Sequence, residues 1–491
     1  MTSASLRFWS WPRAWFCCGL ACTMNVAAAD FENPTEVLDT PGARAAYRVT
    51  DPALRALALE LLATPDDAVA DTAVVTPNPH PGAAWWPGAG LGLFMHWGFH
   101  SVEQLQPSWA SIRGYPHGTE EARFHGMGYF RLADRFNPTA WDPGAWAPQA
   151  RAAGFRYMVL TAKHHDGFAL WPSRWGNFST RQFLGGRDLL RTYADGLRAS
   201  GLKVGFYFSP QDWHYPGFPL GDVNFDHRQR NQRPPIADAA ANAERAREFF
   251  IYTIAQLHEL LTGYGPVEEL WFDGLGWPGV TFPTKAVYRW IRSLQPQILI
   301  NDRWGRVRTP DGSDTTTMKF GDFTTHEYTA LSERPAGRWE YCRSWYGHWG
   351  YSGPFAGELN VELERLGRIR AWDGNYLLNI GPRPDGRLPE GTEAALAEMA
   401  AWMKVNGEAI HDVRGGREGA ASVPTTENGR VTYLHLFADQ AGSVWLEAKA
   451  EVKSVRLLGQ DGELHPEVRD GRLHFAAVGQ GYRIIRVEWV K

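Results

Sequence analysis

The feature that most constrains this chain is an alternation of short apolar runs with helical stretches, sustained from Leu91 to Val405. The runs Leu91–Trp97, Tyr157–Thr161, Lys203–Ser209, Glu268–Phe272, Gln297–Asn301 and Tyr376–Ile380 read as strands covered on both faces. Apolar residues at helical spacing predict helices over Ala145–Ala153, Asp188–Ser200, Ala239–Leu261, Lys285–Leu294, Val361–Ala371 and Thr392–Val405. A strand apolar throughout needs cover on both sides, and interleaved helices supply it over a parallel sheet. At this length such a sheet closes, so an α/β fold with a (β/α)8-like, TIM-type barrel is expected over residues 30–408.

Beyond residue 408 the pattern changes. Val431–Phe437, Ser443–Ala448, Ser454–Leu458, Leu473–Ala477 and Tyr482–Val490 are short, alternating and turn-bounded, which predicts an antiparallel β-sandwich over 409–491. Residues 1–29 stand apart. Arg7 and Arg13 flank the start of the apolar stretch Ala14–Met24, and Ala27-Ala28-Ala29 offers small residues before Asp30. This is the pattern of a cleaved signal peptide, which predicts a secreted or periplasmic protein, and the stretch is too short to span a bilayer. Cys22, after Gly19-Leu20-Ala21, sits in a poor context for a lipid anchor. Of the 4 cysteines, only Cys342 lies outside this segment, so the predicted mature chain has no pair to form an internal disulfide.

The 50 Lys+Arg against 54 Asp+Glu leave no basic excess, which argues against nucleic acid or an anionic membrane as partner. The 23 Trp point elsewhere, because flat aromatic faces stack on the C–H faces of sugars.

In such a barrel the chemistry sits at the C-terminal strand ends. Polar clusters occupy several of them: His96-Trp97-Gly98, Lys163-His164-His165-Asp166-Gly167, Ser209 to Trp213, Asp273-Gly274 and Asn301-Asp302-Arg303-Trp304. Asp273 emerges from an apolar strand beside Gly274, on a rigid element with room for a ligand. Glycosidic cleavage needs a second carboxyl, and Glu327, Glu333 and Glu340 lie downstream. Spacing does not choose among them. Two other readings use the same residues. His96, His164, His165 and Asp273 resemble a zinc set, but neighbouring strand residues point to opposite faces and no His-x-His or His-Glu-x-x-His spacing occurs. A silent sugar-binding barrel would have lost a carboxylate, whereas Asp273 is kept. Gly88-Ala89-Gly90-Leu91-Gly92 looks like a nucleotide loop but precedes its strand.

Taken in order, these stretches resemble the α-L-fucosidases of glycoside hydrolase family 29. The resemblance rests on Phe94-Met95-His96-Trp97-Gly98, Leu160-Thr161-Ala162-Lys163-His164-His165-Asp166-Gly167-Phe168 and Gly205-Phe206-Tyr207-Phe208-Ser209. It continues through Leu270-Trp271-Phe272-Asp273-Gly274, Asn301-Asp302-Arg303-Trp304-Gly305, Trp339-Glu340-Tyr341-Cys342, Trp349-Gly350-Tyr351 and Gly374-Asn375-Tyr376-Leu377-Leu378-Asn379-Ile380-Gly381-Pro382. It implies a barrel with a C-terminal β-sandwich and retaining removal of terminal α-linked fucose from oligosaccharides or glycoconjugates, without metal or other cofactor. It implies Asp273 as nucleophile and Glu327 as acid/base, with Glu333 and Glu340 as competitors for the second role. It also implies sugar contacts by His96, His164, His165, Tyr207 and Arg303, with Trp109 and Trp271 as aromatic walls. Ser108 stands where the family often carries a glutamate, so a hydroxyl contact is lost or passes to Glu103 or another loop residue. The polar loop 215–235, with Arg228, Arg230 and Arg233, is expected on the catalytic face. Linkage preference and oligomeric state are not written in these motifs.

Overall fold

A strand in a closed parallel sheet alternates its side chains between lumen and outer helices, and the chain follows that rule closely. The structure, a computed structural model, describes residues 32, 34–64, 77–112, 124–218, 238–274, 276–277, 280, 282–304, 307–308, 314–315, 321–440, 442–476 and 479–490. The expected signal segment and most of loop 215–235 lie outside these residues. Strands β1 (Leu91–Met95), β2 (Tyr157–Lys163), β3 (Lys203–Phe208), β4 (Glu269–Phe272), β5 (Leu299–Ile300), β6 (Thr324–Glu327), β7 (Trp339–Ser344) and β8 (Asn375–Asn379) form one sheet. Its order is β5-β4-β3-β2-β1-β8-β7-β6, and every pairing is parallel. The edges meet. Asn301, just past β5, bridges Phe323 in parallel, and the Asp322 N–H donates to the Ile300 carbonyl at 2.7 Å.

Leu91, Leu93 and Met95 of β1, Leu270 and Phe272 of β4, and Tyr376 and Leu378 of β8 face outward into the large core beneath the helices. Phe94, Tyr157, Val159, Tyr207, Trp271, Leu299, Cys342 and Leu377 fill the lumen. A Cβ on Gly92 would lie 2.3 Å from the Tyr157 ring, so the glycine in β1 is what lets that tyrosine cross the lumen. The outer cover comes from α1 (Pro52–Leu62), α2 (Pro143–Ala152), α3 (Leu189–Ala199), α4 (Ala239–Gly263), α5 (Thr284–Leu294), α6 (Leu359–Ala371) and α7 (Thr392–Asn406). Asp51, Asp188 and Asp238 cap α1, α3 and α4 by accepting first-turn N–H groups.

The eight strands match the (β/α)8-like expectation, but only six coincide with apolar runs in the sequence, because β6 and β7 carry polar residues at their lumen positions. Gln297–Asn301 shortens to the two-residue β5. Helical cover is also incomplete: among the described residues no helix joins β5 to β6 or β6 to β7.

The C-terminal strands are β9 (Arg414–Gly415), β10 (Thr425–Asn428), β11 (Val431–Leu436), β12 (Val444–Glu447), β13 (Val452–Leu457), β14 (Glu467–Arg469), β15 (Arg472–Phe475) and β16 (Arg483–Trp489). They form antiparallel sheets β9-β10-β11-β16-β13 and β12-β15-β14. Leu434, Leu446, Val455, Leu473, Ile485 and Trp489 pack between them. The larger sheet turns its other face, with Tyr433 and Ile484, toward Trp402 of α7. Buried Arg370 fastens the barrel to the connecting segment, donating to the carbonyls of Ile410 at 2.9 Å and Val413 at 2.8 Å. No described helix is long and apolar enough to cross a membrane.

Candidate active site

Each polar group of the site stands two residues beyond a lumen side chain, so the period of the strand aims it at the barrel axis. Phe94 is followed by His96, Trp271 by Asp273, Asn301 by Arg303, Thr325 by Glu327 and Leu377 by Asn379. All five strand ends lie at the same mouth of the barrel. Gly274, next to Asp273, has φ 94°, and a Cβ there would come 2.9 Å from Gln211, so the turn that presents this carboxylate requires glycine.

Arg303 organises the centre. Its Nη1 donates to Asp273 Oδ1 at 3.0 Å, its Nη2 to Glu327 Oε2 at 2.9 Å and its Nε to Thr325 Oγ1 at 2.8 Å. The guanidinium lies 4.5 Å above the Trp271 ring. Tyr207 donates its hydroxyl to Asp273 Oδ2 at 3.0 Å, and His165 Nε2 stands 3.7 Å from the same oxygen. Burial acts to raise the Asp273 carboxyl, but Arg303, His165 and Tyr207 together outweigh it and hold the group down at about 2. Asp273 therefore stays ionised, with its side chain 25% exposed toward the mouth.

Three histidines line the same space, and the hydrogen bonds of two of them assign their tautomers. Asn379 donates its amide N–H to the Trp349 carbonyl at 2.7 Å, so its Oδ1 is the acceptor for His96 Nδ1–H at 2.9 Å. Ser108 Oγ accepts the Asp166 N–H at 2.8 Å and gives its own proton to Asp166 Oδ2 at 3.0 Å, leaving its second lone pair for His164 Nδ1–H at 2.5 Å. His96 and His164 thus carry bare Nε2 lone pairs. Burial lowers both imidazoles, His96 to about 4, which keeps them neutral. Ser209 Oγ accepts the Gln211 N–H at 3.1 Å and shares a 2.7 Å hydrogen bond with His165 Nδ1, which turns His165 Nε2 toward Asp273. The pocket holds two neutral acceptors, which suit donating hydroxyls, beside a guanidinium, a phenol and an ionised carboxylate.

The remaining expected residues are placed as follows. Trp271 is almost fully buried beneath Arg303, stacked on Tyr207 with centroids 5.5 Å apart, and donates to Glu340 Oε1 at 3.0 Å. Trp109 stands edge-on to His165 at 5.9 Å and to Trp213 at 5.4 Å. Glu340 is wholly buried in the lumen under Trp271, and Glu333 is exposed in the β6–β7 loop, so of the three competing glutamates only Glu327 reaches Arg303 and the mouth. Glu103 pairs with Arg135 at 2.5 Å. Ser108, with φ 58°, is locked into the His164–Asp166 network. Asn379, Ser209 and Trp349 stand in stretches the sequence analysis singles out but receive no role there, and Thr325 is not named. The roles of Asn379 and Thr325 are detectable by the two-residue step from lumen positions; Trp349, tilted against His96 at 4.8 Å, comes from a loop outside that period.

Strand alternation predicts that the His164 and His165 rings diverge. They do not: β2 ends at Lys163, both rings come from the turn beyond it, and their centroids are 4.3 Å apart. His164, His165 and Asp273 bring ligand atoms within 4.8 Å of one another. A divalent cation fits this set poorly, because it would share Asp273 with a guanidinium 3.0 Å away and an already donating phenol.

A family profile described as Alpha-L-fucosidase matches residues 67–408. This chain belongs to the alpha-L-fucosidase family. It is similar to the tissue alpha-L-fucosidase of Rattus norvegicus, 28% identical over 412 residues that cover 78% of this chain and 82% of the relative. The Homo sapiens tissue enzyme is 28% identical over 417 residues, 79% of this chain and 83% of its own. Among solved structures, alpha-L-fucosidase isoenzyme 1 from Paenibacillus thiaminolyticus superposes with a TM-score of 0.67 at 29% identity, covering 84% of this chain and 99% of the other. The fold shared with that fucosidase is the barrel followed by antiparallel sheets.

Proposed function

We propose that this member of the alpha-L-fucosidase family removes terminal α-linked fucose from oligosaccharides or glycoconjugates with retention of configuration. The observation that carries the reading is the single guanidinium of Arg303 binding both Asp273 and Glu327. Two carboxyls held on neighbouring nitrogens of one planar group face the same pocket, as the paired carboxyls of a glycosidase must. Asp273, kept ionised, attacks the anomeric carbon while Glu327 passes its proton to the departing oxygen. Glu327 then rests on Arg303 as a carboxylate, takes a proton from water, and that water releases the sugar from Asp273. His96 and His164 accept hydrogen bonds from sugar hydroxyls, and Trp109 and Trp349 provide aromatic surface; Trp271, buried beneath Arg303, carries the guanidinium and does not wall the sugar as expected. No step calls for a cofactor.

Residues 30–408 are taken as the catalytic barrel and 409–491 as its appended sandwich. The Arg7, Ala14–Met24 and Ala27-Ala28-Ala29 pattern supports export to the periplasm or beyond.

The test is proton NMR of the first sugar released from an aryl α-L-fucoside, beside rates on α1,2-, α1,3-, α1,4- and α1,6-fucosylated oligosaccharides. The α anomer should appear first. An initial β anomer would overturn retention, and preference for the aryl L-galactoside analogue, which adds a hydroxyl at C6, would overturn the sugar assignment.

A further inference from the structure

The residue after Glu327 is built unlike any other aromatic among the described residues. Tyr328 is 46% exposed, and it is the sole exposed large aromatic side chain among the described residues. Isolated exposed aromatics are common on proteins and alone signify little. Here, however, the backbone is held at φ 49°, in the left-handed region that a bulky residue avoids. The surroundings impose that conformation. The Tyr328 N–H donates to the Cys342 carbonyl at 3.3 Å, and the Ser344 N–H donates to the Tyr328 hydroxyl at 2.9 Å, so both ends of the residue are fastened to β7.

The fastened ring continues the wall of the pocket. It meets Trp349 edge-on with centroids 5.3 Å apart, and Trp349 leans on His96 at 4.8 Å. The Arg343 guanidinium lies 5.5 Å from the Tyr328 ring centroid on one side. A rigid aromatic with open surface, next in sequence to the carboxyl that faces the departing oxygen, is placed for a pyranose to stack on it.

We propose that Tyr328 is the platform of a leaving-group subsite, stacking on the C–H face of the saccharide from which fucose is cleaved. This rests on the fucosidase reading and on Glu327 as the proton donor. Arg343 beside the ring supplies donors for that saccharide's hydroxyls.

The subsite is tested with two substrates on the intact chain: α-L-fucosyl fluoride, which has no leaving sugar, and the fucosylated disaccharide that the parent cleaves fastest. Tyr328→Asn removes the ring while suiting the left-handed backbone, and Tyr328→Phe and Tyr328→Trp keep an aromatic face. In Tyr328→Asn the ratio of kcat/KM on disaccharide to that on fluoride should fall about tenfold, the loss lying in KM for the disaccharide. Tyr328→Phe and Tyr328→Trp should retain the ratio. An unchanged ratio, or a loss confined to kcat, would overturn the platform and leave the fucosidase reading standing. A parent inert on both substrates would overturn the fucosidase reading and the platform with it.

Discussion

Trp271 donates its indole N–H to Glu340 Oε1 across 3.0 Å at the floor of the pocket, and the same indole carries Arg303 on its upper face. Glu340 also accepts the Tyr157 hydroxyl at 2.5 Å, so one buried carboxyl braces the group on which the Asp273–Arg303–Glu327 cluster rests.

Glu340 should therefore mimic a catalytic residue in mutagenesis without being one. Glu340→Leu leaves two buried donors without partners, at about 1–3 kcal/mol each, and lets Arg303 shift. The expected result is a fall in kcat and an acid limb of kcat/KM displaced upward, because Asp273 loses its cation. Glu340→Gln keeps an acceptor for Trp271 and should restore both. Burial, opposed only in part by the Tyr157 and Trp271 hydrogen bonds, pushes Glu340 up to about 7 from 4.5. The folded state thus binds this proton more tightly. The stabilisation is complete below about 4.5 and is lost as pH rises through about 7. Thermal melts of Glu340→Gln should lose that dependence; a parent and variant with parallel profiles would contradict it.

Asp273→Gly should leave the fold intact and reduce hydrolysis of an aryl fucoside to below a few per cent of the parent. The carboxylate stands at a strand end with its neighbours held by their own bonds, so its removal vacates a small space beside Arg303. Exogenous azide should occupy that space and restore turnover as fucosyl azide. Substantial residual activity, or azide without effect in an inactive but folded variant, would remove Asp273 from the role.

The legible part of this molecule is the part governed by the two-residue strand period. Asp273 and Arg303 could be found because each follows a strand whose outward residues are apolar, as in Leu270 and Phe272 or Ile298 and Ile300. β6 and β7 were hidden for the same reason that they matter: Thr325, Glu327 and Glu340 replace apolar lumen residues. The same period misleads at His164-His165, where it was extended one residue past the end of β2. Neither local pattern reaches the loops. Trp349 and Tyr328 acquire their places from tertiary contacts, and the strained φ of Ser108 and Tyr328 leaves no mark in residue type.

Activity should survive exhaustive chelation. The ligand atoms of His164, His165 and Asp273 converge within 4.8 Å, but Arg303 already supplies the positive charge at Asp273. Incubation with EDTA followed by assay on an aryl fucoside should give the parent rate. Loss that zinc restores would install a metal where the guanidinium is now assigned.

The last prediction concerns Ser108, whose hydroxyl is fully committed. It accepts from Asp166 N–H and His164 Nδ1–H and donates to Asp166 Oδ2, which uses both lone pairs and its one proton. Tyr129 fixes the other side by donating to Asp166 Oδ2 at 2.9 Å and accepting the Ser108 N–H at 2.6 Å. The network's product is a His164 ring whose Nε2 lone pair faces the pocket. In Ser108→Ala the imidazole loses its partner at Nδ1, so its tautomer and its rotation are both freed. A sugar hydroxyl then meets a lone pair or an N–H, and binding weakens. KM for an aryl fucoside should rise about tenfold, the equivalent of one well-placed hydrogen bond, with a smaller change in kcat because Asp273 and Glu327 do not touch Ser108. The accompanying NMR signature is a change of the His164 nitrogen shifts from the Nδ1–H tautomer toward a mixture. If KM and the nitrogen shifts both stay at parent values, Ser108 does not set the histidine.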